Sequence, residues 1–399
     1  MDNNYSLNLE LLPKELKLLL EIINMEENNR GIEPTFFNKY NDINWNFFIQ
    51  LAMHHRVYPL LYSKVKKISS KFIPKWVVQI LYQEYKRNTF KMLHLCSEME
   101  KLNKKCQENR IPLINLKGPI LAAELYGDIS LRTSNDLDIL IPFKHLEKIE
   151  GILTGTGYVK DDYIETILND WKWRHHHITY INPKKDVKIE VHWRLNPGPG
   201  KEPNFDELWE RRRISTLTNN PIYFLSEEDL FLFLVSHGAR HGWSRLRWLI
   251  DIQQIVRQDL DWLKIQRKLK KYNFLDIGGQ ALILSSYLLT TEISEKMSLL
   301  LKGNKPQRLA QETTFYLEEM VNLHTDPVPD HVAKYHKHHL FSLMSKQQKF
   351  LFILSFLYPY PDDAKTLPLP KTLHFLYFPL RPFLWAWRKT RIHALPRRT

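Results

Sequence analysis

Apolar residues recur at helical spacing through the first hundred positions of the chain. Leu16, Leu18, Leu19, Leu20, Ile22 and Ile23 follow Pro13, a residue suited to opening a helix. Phe48, Leu51, Ala52, Val57, Leu60 and Leu61 repeat within residues 45–66. Residues 74–109 read as one long amphipathic helix, with Ile80, Leu81, Phe90, Leu93, Leu95 and Met99 among its apolar candidates. His54, His55 and Arg56, on the second helix, are expected to form a solvated or capping patch.

The period changes at Ile111. Residues 112–116 read as a short strand, Lys117-Gly118-Pro119 as a turn into a helix, and Gly127-Asp128 as its stop. A second strand covers 136–141 and ends at Pro142. A helix over 143–154 follows, then two strands, 175–181 and 187–193, around the Asn182-Pro183 turn. This order indicates a small α/β unit. Past the loop at 196–200 the pattern turns helical again, with Ser226 and Asp229 resembling a capping box and one helix expected to run through 237–251. Four regions result: helical 1–110, the α/β core 111–195, helical 196–325 completing a cleft, and a Pro-rich, basic 326–399.

Composition removes several classes. With 43% hydrophobic and 12% aromatic residues among 399, the chain is expected to fold around substantial cores. No apolar run of about 18 residues is present, so no membrane span is expected. The first 30 residues lack the pattern of a signal peptide. Cys96 and Cys106 lie ten residues apart on one predicted helix, about 15 Å, too far for a disulfide. A reducing, cytoplasmic setting is the expectation. Much of the +13 net charge sits in residues 364–399, which hold Lys365, Lys371, Arg381, Arg388, Lys389, Arg391, Arg397 and Arg398 and no acidic residue. Nucleic acid is therefore not expected as a partner. Residues 375–387 with their flanking arginines could dock as a C-terminal helix or lie on an anionic surface.

The chemistry concentrates at two strands. Alternation puts Asp136 and Asp138 on one face, roughly 6.5–7 Å apart, with Leu137 and Ile139 toward the core. In 187–193, Lys188, Glu190 and His192 share a face. If the strands pair, Glu190 stands beside the aspartates, and three converging carboxylates repel unless cations neutralise them. Mg²⁺ is the natural guest, and two ions would bind both the attacking and leaving oxygens of a phosphoryl displacement. Lys117 and Gly118 at a helix start suit a phosphate. Arg132 is placed to reach a phosphate or to pair an Asp. His237 and His241 share a helical face that Arg245 continues, with Arg240 and Arg247 off it. This helix reads as a cleft wall contacting phosphate or acting as acid or base, or as a helix packed through its Trp residues with Asp251 pairing an Arg. Of His175, His176 and His177, His177 is expected to point into the site. Glu190 or His192 is placed to remove a proton.

These residues carry a resemblance. Leu116-Lys117-Gly118, Leu125-Tyr126, Arg132, the Asp136 to Ile141 strand, Ile189-Glu190-Val191-His192-Trp193 and the His237 to Asp251 stretch resemble the bacterial "uncharacterised nucleotidyltransferase" family, within the DNA polymerase beta-like nucleotidyltransferase superfamily. The resemblance implies an α+β fold, a small mixed sheet with helices flanked by N- and C-terminal helical regions. It implies Asp136, Asp138 and Glu190 as metal ligands, and transfer of a nucleoside monophosphate from an NTP to an acceptor hydroxyl or phosphate. Neighbouring genes in the family hint that the acceptor is a peptide or small-molecule natural product. The wider pattern opens the helix with Gly-Ser or Gly-Gly closer to the Asp pair; here Gly118-Pro119 stands eighteen residues before Asp136. Lys117 and Arg132 would then substitute in the triphosphate grip. A ligand-binding protein on this scaffold, or another phosphoryl or glycosyl transfer, is the alternative.

Overall fold

The computed structural model describes residues 6–25, 39–40, 42–68 and 72–394. Arg397 and Arg398 of the basic tail lie outside the described residues. Among the described residues a seven-stranded mixed sheet runs β3-β4-β5-β2-β1-β7-β6. The strands are β1 (Ile114–Asn115), β2 (Asp136–Leu140), β3 (Val159–Lys160), β4 (His177–Asn182), β5 (Val187–His192), β6 (Arg213–Ser215) and β7 (Ile222–Phe224). β2 lies parallel to β5 and β1 parallel to β7; the other pairs are antiparallel. The α+β class and the mixed sheet are as the sequence led one to expect. β3, β6 and β7 were not expected: two or three residues are too few to display alternation. β6 and β7 come from a stretch read as helical, and β7 joins the sheet through β1. β1 is shorter than its predicted strand, yet the Leu116 N–H still donates to the Asp138 carbonyl at 2.9 Å.

Strand alternation sorts the sheet into a dry face and a working face. Leu137, Ile139, Val187, Ile189 and Val191 point into a core shared with Leu95, Met99 and Leu102 of the long helix (Lys75–Glu108). Each fully buried Leu, Ile or Val contributes about 1.5–3 kcal/mol, which pins the register. Ile80, Phe90 and Leu93 lie instead on that helix's exposed side. Reciprocal amide bonds between Asn103 and Asn115, at 3.2 and 3.0 Å, tie the long helix to β1.

The predicted helix over 237–251 is in fact two, Glu227–Arg240 and Leu246–Val256. Gly242 and Trp243 take positive φ (60° and 50°) and break it. Trp243 folds back onto Gly238, where a Cβ would lie 2.2 Å from its ring. Ser226 Oγ accepts from the Asp229 N–H at 3.3 Å at the start of the first helix. His55 is fully buried, which overturns the solvated patch: its Nδ1 accepts from the Leu246 N–H at 3.4 Å.

The Pro-rich C-terminal region forms helices Asp330–Leu343, Lys346–Ser355, Pro361–Thr366 and Tyr377–Ala394. The last is anchored where Arg381 and Arg388 donate to Asp363 at 2.6 and 2.7 Å. Among the described residues no helix is long and apolar enough to cross a membrane.

Candidate active site

The working face of the sheet assembles the carboxylates. β2 and β5 pair in the register Asp136 to Lys188, Asp138 to Glu190 and Leu140 to His192. Asp138 is buried; its Oδ1 lies 3.0 Å from Lys117 Nζ and 3.1 Å from His192 Nε2. Its Oδ2 is buried with no hydrogen-bond partner. Glu190 Oε1 is 2.8 Å from Lys188 Nζ, and Oε2 is 3.7 Å from His192 Nε2 and 3.9 Å from His177 Nε2. Asp136 Oδ2 lies 3.3 Å from the same Lys188 Nζ. Two ammonium groups and an imidazole thus hold together three carboxylates that would otherwise repel.

Environment sets the charge of each group. Burial pushes the Glu190 carboxyl up, but the nearby His192 and the charge of Lys117 outweigh it and hold it well below the usual range. Burial likewise raises Asp136, and Lys117, Lys188 and Arg247 outweigh that and the opposing Glu190, so its net shift is downward. Burial alone would lower His192, yet bonds to Asp138 and Glu190 raise it. Burial and the neighbouring His192 take His177 down to about 3. Burial, with Arg240 close by, depresses His176 further still.

Asp138, Glu190 and His192 offer ligand atoms within 4.8 Å of one another, and His176, His177 and His192 form an overlapping set. The donors fit a divalent cation: Asp138 keeps a buried carboxylate oxygen without a partner, and the Glu190 carboxylate beside it lines the cleft. His192, with its raised pKa and its bond to Asp138, is arranged as a proton donor orienting that carboxylate. Asp136 reaches the group through Lys188.

The cleft beside these groups measures about 440 Å³. Gly118 adopts φ +85° above the start of β2, a backbone shape that favours glycine, and caps the eight-residue helix Pro119–Tyr126. Lys117 therefore hangs over Asp138. His237 and His241 also line the cleft, their rings 4.6 Å apart and against Trp248. Burial, with nearby Lys117 and Arg240 among other cations, keeps both far below the ordinary histidine value. Arg245 lines it too, as the residue capping the second helix, with Nη2 donating to Asn322 Oδ1 at 3.3 Å.

Arg132 takes the other role open to it. Its Nε and Nη2 each donate to Asp251 at 2.8 Å, and the Tyr126 hydroxyl donates to the same carboxylate at 2.8 Å. With its fork filled, it is a brace between the β2 entry and the helix Leu246–Val256, and it also lines the cleft.

Several cleft residues were missed from sequence. Arg56 and Arg247 line it, as do Arg240 and His176, whose Nη1 and Nε2 lie 3.1 Å apart. Arg240 stands three residues from His237, a helical neighbour, so a signal was available. Lys188 shared the face read for Glu190. Arg247 could not be placed, because the chain reverses between it and His241. Arg56, Arg240, Arg245 and Arg247 all line the cleft, and among the described residues none makes an ion pair.

The mixed sheet thus aligns acidic residues from two parallel strands beneath a wall of arginines. Residues 41–290 match the family model described as "Uncharacterised nucleotidyltransferase". The chain belongs to this family, and its class is nucleotidyl transfer. Among solved structures it is similar to the antibiotic-resistance factor ANT(2'')-Ia, known from a solution structure, at 14% identity over 57% of this chain and 98% of that one, with a TM-score of 0.28. No curated protein matches.

Proposed function

We propose that the chain is a Mg²⁺-dependent nucleotidyltransferase that moves a nucleoside monophosphate from an NTP to a small acceptor. The observation that carries this reading is the Asp138 and Glu190 pair, side by side on adjacent strands, beneath four arginines that make no ion pair among the described residues. A cleft with that excess of unpaired positive charge suits a triphosphate. Asp136, Asp138 through its free Oδ2, and Glu190 would hold the metal. Bound there, Mg²⁺ supplies charge neutralisation on the transferred phosphoryl group and the leaving pyrophosphate.

The chain's own residues do the rest. Lys117 and Lys188 exchange carboxylate oxygens for phosphate oxygens as nucleotide enters. Arg247 binds the phosphates, Arg245 and Arg56 extend that grip outward, and Arg240 stands at the edge of the cleft. His192 keeps Asp138 oriented. His177, His237 and His241, kept neutral, give hydrogen bonds without repelling the cations around them.

The test follows α- and γ-labelled ATP separately, incubated with the protein, Mg²⁺ and a small-molecule extract. The α label is expected to enter a new product and the γ label to leave as pyrophosphate. Entry of the γ label into the product would instead make the protein a kinase, and no labelled product from either would remove the transferase reading.

A further inference from the structure

A second cavity, of about 480 Å³, lies on the far side of Arg240, which lines both spaces. Its walls are mainly apolar: Trp173, Phe274, Ile277, Leu340, Leu343 and Phe352. The family match ends at residue 290, so the wall built from the helices Asp330–Leu343 and Lys346–Ser355 belongs to chain beyond it. The charged groups of this cavity are matched except for Lys201, which lies out in water, and Arg240. Arg174 Nε sits 2.6 Å from Asp170, and Arg194 Nε 3.3 Å from Glu202. Glu202 also accepts from the N–H groups of Leu195 and Asn196, at 3.0 and 2.8 Å. Lys201 is exposed to water. Arg240 touches only imidazoles, His176 at 3.1 Å and His237 at 3.5 Å, and its Nε is buried without a partner.

From this we infer that the cavity is the acceptor pocket of the proposed transferase and takes an apolar monocarboxylate, its body among the hydrophobic side chains and its carboxylate on Arg240. A buried guanidinium without an ion pair in an apolar space, with the unpaired Lys201 left out in water, calls for one negative charge. The placement also suits the chemistry. Arg240 brings the carboxylate to the boundary of the nucleotide cleft. There a carboxylate oxygen attacks the α-phosphorus, the bond from that phosphorus to the oxygen bridging to the β-phosphate breaks, and pyrophosphate leaves with the electron pair. The product is a mixed anhydride of the acid and the nucleoside monophosphate. The acid is already ionised, so no proton has to be removed.

This inference rests on the transferase reading, and calorimetry on the full chain separates the two. Decanoate is expected to bind about tenfold or more tightly than decanol, because only the acid engages Arg240. Arg240→Met should erase that difference, and Leu343→Trp, which fills the cavity, should weaken both ligands. Decanoate should also stimulate exchange of labelled pyrophosphate into ATP. Equal binding of acid and alcohol, or no binding of either, overturns the pocket, and so does binding without stimulated exchange. Mg²⁺-ATP titrated into the same sample reports on the parent reading: if it binds while decanoate does not, only the pocket falls, and if it fails to bind, the transferase reading falls.

Discussion

Asp138 and Asp229 are equally hidden from water but are treated in opposite ways. Asp229, in the first turn of the helix Glu227–Arg240, has every oxygen engaged. Arg211 Nε donates to Oδ2 at 2.8 Å, the Ser226 hydroxyl to Oδ2 at 3.0 Å, and Lys268 to Oδ1. Asp138 has its Oδ2 buried and unmatched. The arginines repeat the contrast. Arg132 fills its fork with Asp251, while Arg247 donates only to the Thr133 carbonyl and hydroxyl, at 2.6 and 3.1 Å. A buried polar atom without a partner costs about 1–3 kcal/mol. Burial therefore does not separate the frame from the site; completeness of partnering does. The frame matches its charges internally, while at the cleft Asp138 Oδ2 and the Nε atoms of Arg240 and Arg247 are left buried without a partner.

The largest expected effect breaks a matched pair. Arg132→Met leaves Asp251 buried with only the Tyr126 hydroxyl, and stability should fall by about 3–5 kcal/mol. Urea unfolding followed by tryptophan fluorescence measures it; a loss near zero would mean that the Arg132–Asp251 pair does not brace the fold. Next is the unmatched partner. Asp138→Asn removes a carboxylate from the proposed metal site, and turnover should drop by about a hundred- to a thousandfold. Its melting temperature should fall less than that of Arg132→Met, because the amide keeps one oxygen to accept from Lys117 and His192. Transfer of α-labelled phosphate and a thermal melt on one preparation test both halves, and full turnover in the variant would remove Asp138 from the reaction.

How much of this contrast could be read in advance depends on the element. Strand alternation carried Asp136, Asp138, Lys188 and Glu190 to one face, because a period of two is rigid and the apolar half of each strand had to go inward. Helical spacing likewise carried His237 beside His241. The arginine wall was less legible. Arg247 enters from a second helix after a reversal at Gly242 and Trp243, and no local pattern announces positive φ at a tryptophan. Arg56 enters from the N-terminal helices, held there because His55 is buried. Partnering itself is a long-range property: Arg132 and Asp251 are 119 residues apart. The two- and three-residue strands β3, β6 and β7 were illegible for want of length.

A smaller effect probes the unmatched arginines. Arg247→Met should weaken Mg²⁺-ATP binding by about tenfold, the value of one charged hydrogen-bond partner, while leaving unfolding unchanged or shifted toward stability. Burial and the neighbouring cations Arg132 and Arg56 lower the Arg247 guanidinium to about 9, so the protein itself gains little from that charge. Calorimetry and urea unfolding read the two effects. A large loss of stability without loss of nucleotide binding would place Arg247 with Arg132 in the frame and erase the contrast on the arginine side.

The smallest effect is a slope. Burial would raise the Asp229 carboxyl, but Arg211 and Lys268 outweigh it, and the group sits below its ordinary value. A depressed carboxylate adds stability that is complete above its unfolded pKa, about 3.9, and disappears as pH falls through the folded value. The parent protein should therefore lose stability on acidification below about pH 4 more steeply than Asp229→Asn, which has no proton to take up at that position. Unfolding curves at several acidic pH values, in both proteins, give the two slopes. Parallel slopes would mean that Arg211 and Lys268 do not hold Asp229 ionised, and the fully matched member of the comparison would lose its defining property.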